Sequence, residues 1–283
     1  PNASRFPQRA LDVANLMADT SQRIDKPLVS VWYAGTDNNP AMARLHESAR
    51  VACYEDPAAA ARSRVAIAAE YIQKNQPELA LQHLQKALEQ DPKSPEAYNV
   101  MGVLLEKDDN FVEAEQNYKK ALSLKAEYPQ ARNNYGVLLF RLKRYKEALE
   151  QFSLAANDLS YERRETSLEY VAKIALMLND VNKAKTSFER LLRLNNSLSE
   201  PALVLAQFAY DANNYAQAER YYQLYLRNIG KETQAPQALL LGIRLAKQKK
   251  DQDKAASYEL LLRKFYPQSI EYQQYLKEFE TGA

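Results

Sequence analysis

Hydrophobic and polar positions follow a helical period through most of the chain, and the pattern itself recurs at a nearly constant interval. A small apolar residue marks the same place in each copy: Ala80, Ala114, Ala148, Ala184 and Ala218, which are 34, 34, 36 and 34 residues apart. Four residues later an aromatic side chain follows in four of the copies: Tyr118, Phe152, Phe188 and Tyr222. Each copy therefore predicts two amphipathic helices that pack on each other through small and aromatic residues.

A period of about 34 residues with this pattern is typical of the tetratricopeptide repeat (TPR), a helix-turn-helix unit. Such units bury their apolar faces only by stacking on their neighbours. The sequence therefore predicts an all-α fold, a right-handed superhelical solenoid of about six TPR units followed by a C-terminal capping helix. The predicted repeats are 61–94, 95–128, 129–164, 165–198, 199–232 and 235–267, with the cap at 268–280.

Turns and glycines support the same layout. Turn-forming residues precede the second helices, at Asn75-Gln76-Pro77, Asp108-Asp109-Asn110, Asn179-Asp180 and Asn213-Asn214. Gly102, Gly136 and Gly242 stand where the two helices of a pair come closest, so we expect a larger side chain there to push the helices apart.

Residues 1–60 lie outside the repeats and are predicted to form a linker or partly ordered extension before the solenoid of residues 61–283. The only cysteine, Cys53, excludes an internal disulfide. No apolar run precedes Cys53, so it is interpreted as a small buried hydrophobe and not as a lipid attachment site.

The composition favours a protein-binding role over chemistry. A net charge of +2 provides no strong electrostatic attraction to nucleic acid. No apolar run in the sequence is long enough to span a membrane. His46 and His83 lack neighbours with metal-ligand spacing, and no phosphate-binding glycine loop or nucleophile motif occurs. We therefore expect a protein that is not an enzyme and that has no cofactor, metal, nucleic-acid partner or small-molecule substrate.

The candidate site is the first-helix surface that a TPR solenoid turns to its concave side. Its apolar and amide side chains suit an extended peptide, whose backbone the asparagines can bind. The predicted protein-binding residues are Val65, Ala69, Ile72, Leu84, Asn99, Val103, Asn133, Asn134, Val137 and Phe140. The alternative left open is that some of these, Val65 and Val103 above all, simply pack against the second helices.

One partner class is disfavoured by the residues at this surface. TPR co-chaperones hold the acidic C-terminus of a chaperone with lysine and asparagine at positions 5 and 9 of the first repeat. This chain has Val65 and Ala69 there, so the charge that would hold two carboxylates is missing.

Several stretches are more specific than the general repeat: Ala131–Phe140, Asp158–Arg164, Leu239–Lys247 and Tyr266–Gln273. Together they resemble the type IV pilus biogenesis and stability lipoproteins, the PilF/PilW family of pilotins, over about residues 60–276. This resemblance implies a lipoprotein of the outer membrane that faces the periplasm of a Gram-negative cell. It also implies a function: outer-membrane localisation and multimerisation of the type IV pilus secretin.

The resemblance implies two partners, a secretin subunit and the outer membrane. A lipidated N-terminal cysteine would anchor the protein, and we expect it upstream of this sequence, because none is present at its start. By analogy with other pilotins, the secretin is expected on the first-repeat groove around Val65, Ala69, Ile72 and Leu84. The alternative is a general periplasmic TPR scaffold for envelope complexes without a secretin client.

Overall fold

The computed structural model describes residues 57–280, and within this range the chain is helical with short turns. The predicted extension 1–60, with Cys53 and His46, lies outside the described residues except for its last four positions. Those four positions already belong to the first helix, which begins at Pro57.

The described residues form thirteen α-helices and one π-helical turn. The first four are α1 (Pro57–Gln73), α2 (Pro77–Gln90), α3 (Pro95–Lys107) and α4 (Phe111–Leu124). The next four are α5 (Pro129–Arg141), α6 (Tyr145–Asn157), α7 (Arg164–Met177) and α8 (Val181–Leu194). The last five are α9 (Ser199–Asp211), α10 (Tyr215–Ile229), α11 (Pro236–Gln248), α12 (Gln252–Phe265) and α13 (Ile270–Tyr275), and the π-helical turn is Leu276–Glu280.

The helices pack as hairpins, as the repeat predicted. α1 contacts α2, α3 contacts α4, α7 contacts α8, α9 contacts α10, and α11 contacts α12. The five alanines that mark the period have no exposed surface. Tyr118, Phe152, Phe188 and Tyr222 are also buried, which confirms that the helices pack through small and aromatic residues.

The turns between paired helices share one backbone conformation. A residue with φ between 56° and 61° stands in each: Asn75, Asp109, Lys143, Asn179, Asn213 and Lys250. The following amide donates to a carbonyl five residues back, as Asn110 N does to Leu105 O at 2.9 Å. This is the bond of a Schellman helix end, and it confirms the four predicted turns.

The chain divides into two compact units within α5, the first ending at Leu138 and the second beginning at Leu139. In the first unit, one core joins α1 to α3 through residues such as Ala68, Leu84 and Ala97. In the second unit, further cores form around Phe188 and Tyr222. The predicted capping helix is α13, which contacts α11 and contributes the buried Tyr275.

Candidate functional site

The predicted site residues on the first hairpin divide by burial. Val65, Ile72 and Leu84 are 6%, 5% and 0% exposed and belong to the core between α1, α2 and α3. For these three residues the burial favours the alternative that they pack against neighbouring helices. Their aliphatic side chains fill the space between the helices and exclude water from it. Ala69 remains half-buried. The role of all four in partner binding stays a prediction.

Two further aliphatic candidates in the first unit keep part of their surface. Val103 and Val137 are half-buried and occupy the positions in α3 and α5 that correspond to Ala69 in α1. The interval is 34 residues in each case, so these side chains lie at equivalent points on three first helices. They form the small apolar stripe of the first unit, which we define as Ala69, Val103 and Val137.

Two of the three asparagine candidates, Asn99 and Asn134, are hydrogen-bonded to each other. The Asn134 side-chain amide donates to Asn99 Oδ1 at 3.0 Å, and Gln130 Nε2 donates to Asn134 Oδ1 at 3.1 Å. Asn99 is 3% exposed and Asn133 is 6% exposed. This amide ladder satisfies buried polar atoms between α3 and α5, and only the half-buried Asn134 keeps an exposed part that a partner could reach.

Phe140 belongs to the second unit and lies in an aromatic cluster. Its ring meets the rings of Tyr145 and Tyr170 edge-on, each at 5.5 Å between centroids. Tyr170 in turn stacks on the buried Phe152 at 4.4 Å. The half-buried Phe140 ring therefore has a fixed orientation, as edge-to-face packing favours.

A cleft of about 210 Å³ opens in the second unit, and its residues were not among the predicted ones. It lies between α7 and α9 over a floor from α8, and Glu169, Lys173, Phe188, Leu191, Leu198, Ser199, Glu200 and Pro201 line it. Phe188, Leu191 and Pro201 are buried. Lys173 Nζ stands 3.7 Å from Glu200 Oε2 across the opening. The sequence feature that could have indicated this cleft is a glutamate in each of two successive first helices, Glu169 in α7 and Glu200 in α9.

The shifted tyrosine pKa values belong to core residues and not to the predicted site residues. Burial raises the pKa of Tyr222 and Tyr225 above the ordinary tyrosine value, and both rings belong to the core. Residues 57–280 contain no group of three or more His, Cys, Asp or Glu side chains arranged to hold a metal. No helix in this range is both long and apolar enough to cross a bilayer.

The chain resembles known repeat proteins in two segments. Residues 36–151 match the C-terminal ARM domain of tetratricopeptide repeat protein 21, and residues 172–233 match a tetratricopeptide repeat family. The repeats predicted from the 34-residue interval thus correspond to a known helical repeat, and the fold class is that of TPR solenoids.

Specific relatives cover more of the chain. The type IV pilus assembly protein PilF of Pseudomonas aeruginosa is 36% identical over 208 residues, which are 74% of this chain and 81% of that protein. A solved structure of P. aeruginosa PilF aligns with a TM-score of 0.60 at 35% identity, over 78% of this chain and 99% of that one. PilW, described as a widely conserved type IV pilus biogenesis factor, aligns with a TM-score of 0.51 at 25% identity, over 76% and 98%. The chain therefore belongs to the PilF family of type IV pilus biogenesis TPR proteins.

Proposed function

We propose that this protein is a pilotin, a non-enzymatic assembly factor that promotes outer-membrane localisation and multimerisation of the type IV pilus secretin. The observation that carries the proposal is the 36% identity to PilF across 74% of the chain. In this proposal the protein acts at the periplasmic face of the outer membrane and is held there by an N-terminal lipid anchor.

The surface proposed for the secretin subunit is the small apolar stripe of the first unit together with the exposed part of Asn134. Ala69, Val103 and Val137 are small enough for a partner backbone to approach the first helices closely. Asn134 adds an amide that can bond to an extended backbone, so apolar and polar contacts lie on neighbouring helices.

The function is tested by deleting the gene and immunoblotting unheated outer-membrane fractions for secretin multimers. If the protein is a pilotin, the deletion should remove the secretin multimers from the outer membrane, and secretin monomer should collect in the inner membrane. Multimers that persist at the normal level contradict the pilotin role and favour a general periplasmic scaffold.

The surface is tested by complementing the deletion with Val103→Asp and with Val112→Asp. Both place the same charge in the first unit, but Val112 lies on α4 and is 71% exposed. We expect Val103→Asp to abolish the multimers and Val112→Asp to restore them. A thermal melt of purified Val103→Asp separates lost binding from lost folding, because Val103 also packs on the core of the first unit. Normal multimers with Val103→Asp contradict this placement of the secretin.

A further inference from the structure

The cleft between α7 and α9 combines an apolar floor with a charged rim. Phe188 and Leu191 come from α8 and are 2% and 0% exposed, while Leu198 and Pro201 bring further apolar surface from the start of α9. Its volume of about 210 Å³ is below the range of drug-sized ligand pockets. The cleft therefore fits one apolar side chain of a larger ligand.

The charges of the cleft rim are not balanced by the residues that the structure describes. Lys173 is four residues after Glu169 on α7, but its ammonium group pairs with Glu200 of α9 at 3.7 Å. Among residues 57–280, the half-buried Glu169 carboxylate has no hydrogen-bond or ion-pair partner. A partly buried carboxylate next to apolar surface is stabilised by a cation that a ligand brings with it.

A third carboxylate near the cleft is already engaged. Glu165 Oε1, one turn before Glu169, accepts a hydrogen bond from Asn195 Nδ2 at 3.2 Å. Glu165 is thereby fixed toward the end of α8, and Glu169 is the acidic group of the cleft left available to a ligand.

We propose that this cleft is a peptide-binding site for an extended segment in which an aliphatic or aromatic side chain stands next to lysine or arginine. The apolar side chain enters the cleft against the half-buried Leu198, above the buried Phe188 and Leu191, and the neighbouring cation pairs with Glu169. The ligand chemistry follows from the second unit alone, so the site goes beyond the secretin proposal and stands or falls independently of it.

The site is tested with a library of random seven-residue peptides displayed on phage and selected on the immobilised protein. We expect enrichment of sequences with an apolar residue next to lysine or arginine. Synthetic copies of the enriched peptides should bind about tenfold more weakly to Glu169→Gln, since the charge pair is lost. Enriched sequences without this pattern, or no enrichment, overturn the proposal.

Charge reversal gives the sharper test. Selection on Glu169→Lys should enrich acidic residues next to the apolar one. The matched control Glu150→Lys, on the exposed side of α6, should keep the basic preference. Ser199→Trp, which places an indole at the cleft, should weaken the enriched peptides by about tenfold or more. An unchanged preference in Glu169→Lys, or unchanged affinity in Ser199→Trp, shows that the peptides bind elsewhere and overturns the proposal.

A second copy of the chain is the other occupant to distinguish. Sedimentation velocity of the peptide-free protein over a concentration series measures self-association. We expect the parent protein and Glu169→Lys to behave alike in this experiment. Association that depends on Glu169 assigns the cleft to a self-contact and contradicts the peptide site.

Discussion

The two units contain the same repeat but differ in the side chains that link one first helix to the next. In the first unit, the amide ladder of Gln130, Asn134 and Asn99 links α5 to α3, and small aliphatic residues occupy the neighbouring positions. In the second unit, α7 and α9 are linked by an exposed ion pair above an open cleft. The repeat therefore determines the positions of the helices, whereas the side chains between successive first helices determine whether the surface is closed or open to a ligand.

The largest expected effect comes from Leu84, which was predicted to bind a partner and lies in the core of the first unit. Leu84→Ala should lower the free energy of unfolding by about 2–5 kcal/mol, because it removes buried methyl groups and leaves a cavity. Urea denaturation followed by far-UV circular dichroism measures this change. The control is Leu81→Ala on the same helix, where the leucine is 38% exposed and a much smaller loss is expected. Equal losses for the two variants contradict the core assignment.

The next largest effect is expected where an added methyl group would crowd the contact between two packed helices. A Cβ added to Gly242 would collide with the Tyr222 hydroxyl, which is held 3.0 Å from Ala238 O and 3.1 Å from Gln234 Oε1. Gly242→Ala should therefore reduce stability by about 1–3 kcal/mol, the usual range for overpacking.

The first unit supplies the comparison for this variant in Gly102→Ala. There an added Cβ would lie 2.7 Å from a Tyr118 ring carbon, which is a smaller overlap than the one with the Tyr222 hydroxyl at Gly242. A smaller loss is therefore expected in thermal melts. A larger loss for Gly102→Ala contradicts the view that the closer overlap with the hydrogen-bonded Tyr222 hydroxyl is the more costly one.

The sequence predicted the helices and their packing well because both depend on local periodicity. The 34-residue interval located the buried alanines and aromatics, and Asn and Asp located four of the left-handed turns. Lys143 and Lys250 take the same conformation without a residue type that favours it. The charged run from Lys247 to Lys250 indicated a turn between helices, whereas the turn at Lys143 was not predicted.

The burial and the contacts of the candidate site residues were harder to predict, for a physical reason. Whether an asparagine faces a partner or another asparagine depends on side chains about 35 residues apart, as in Asn134 and Asn99. The cleft likewise depends on residues of three helices that sequence spacing does not bring together. Its residues could be recognised only once α7, α8 and α9 were in place.

Alkaline pH should weaken the second unit through Tyr222. Burial, reinforced by the neighbouring Tyr258, raises the pKa of the Tyr222 phenol in the folded chain. The unfolded phenol ionises near its ordinary pKa of about 10, so above that value the folded state holds more protons and stability falls as pH rises. The Tyr222 phenol makes its full contribution to the free energy of unfolding below about pH 10. Above that pH the contribution declines by about 1.4 kcal/mol per pH unit.

The variant Tyr222→Phe isolates this effect. We expect urea denaturation at about pH 8 to show a loss of about 1 kcal/mol from the missing hydrogen bonds. Between about pH 10 and 11 the variant should lose less stability than the parent chain, because its phenyl ring cannot ionise. Parallel losses for the two proteins in this interval contradict the assignment to Tyr222.

The smallest effects concern the two links between successive first helices, and they test the comparison between the units directly. Asn134 bonds to an Asn99 that is 3% exposed, whereas the side chains of Lys173 and Glu200 are 49% and 63% exposed. A double-mutant cycle of Asn99→Ala and Asn134→Ala should give a coupling energy of about 1 kcal/mol, typical of a buried hydrogen bond. The same cycle for Lys173→Ala and Glu200→Ala should give about 0–0.5 kcal/mol, because water and salt screen an exposed pair. Raising the salt concentration should reduce only the second coupling. If the ion pair couples more strongly than the amides, the link in the second unit is structural, and the cleft beneath it is closed more firmly than its exposed rim indicates.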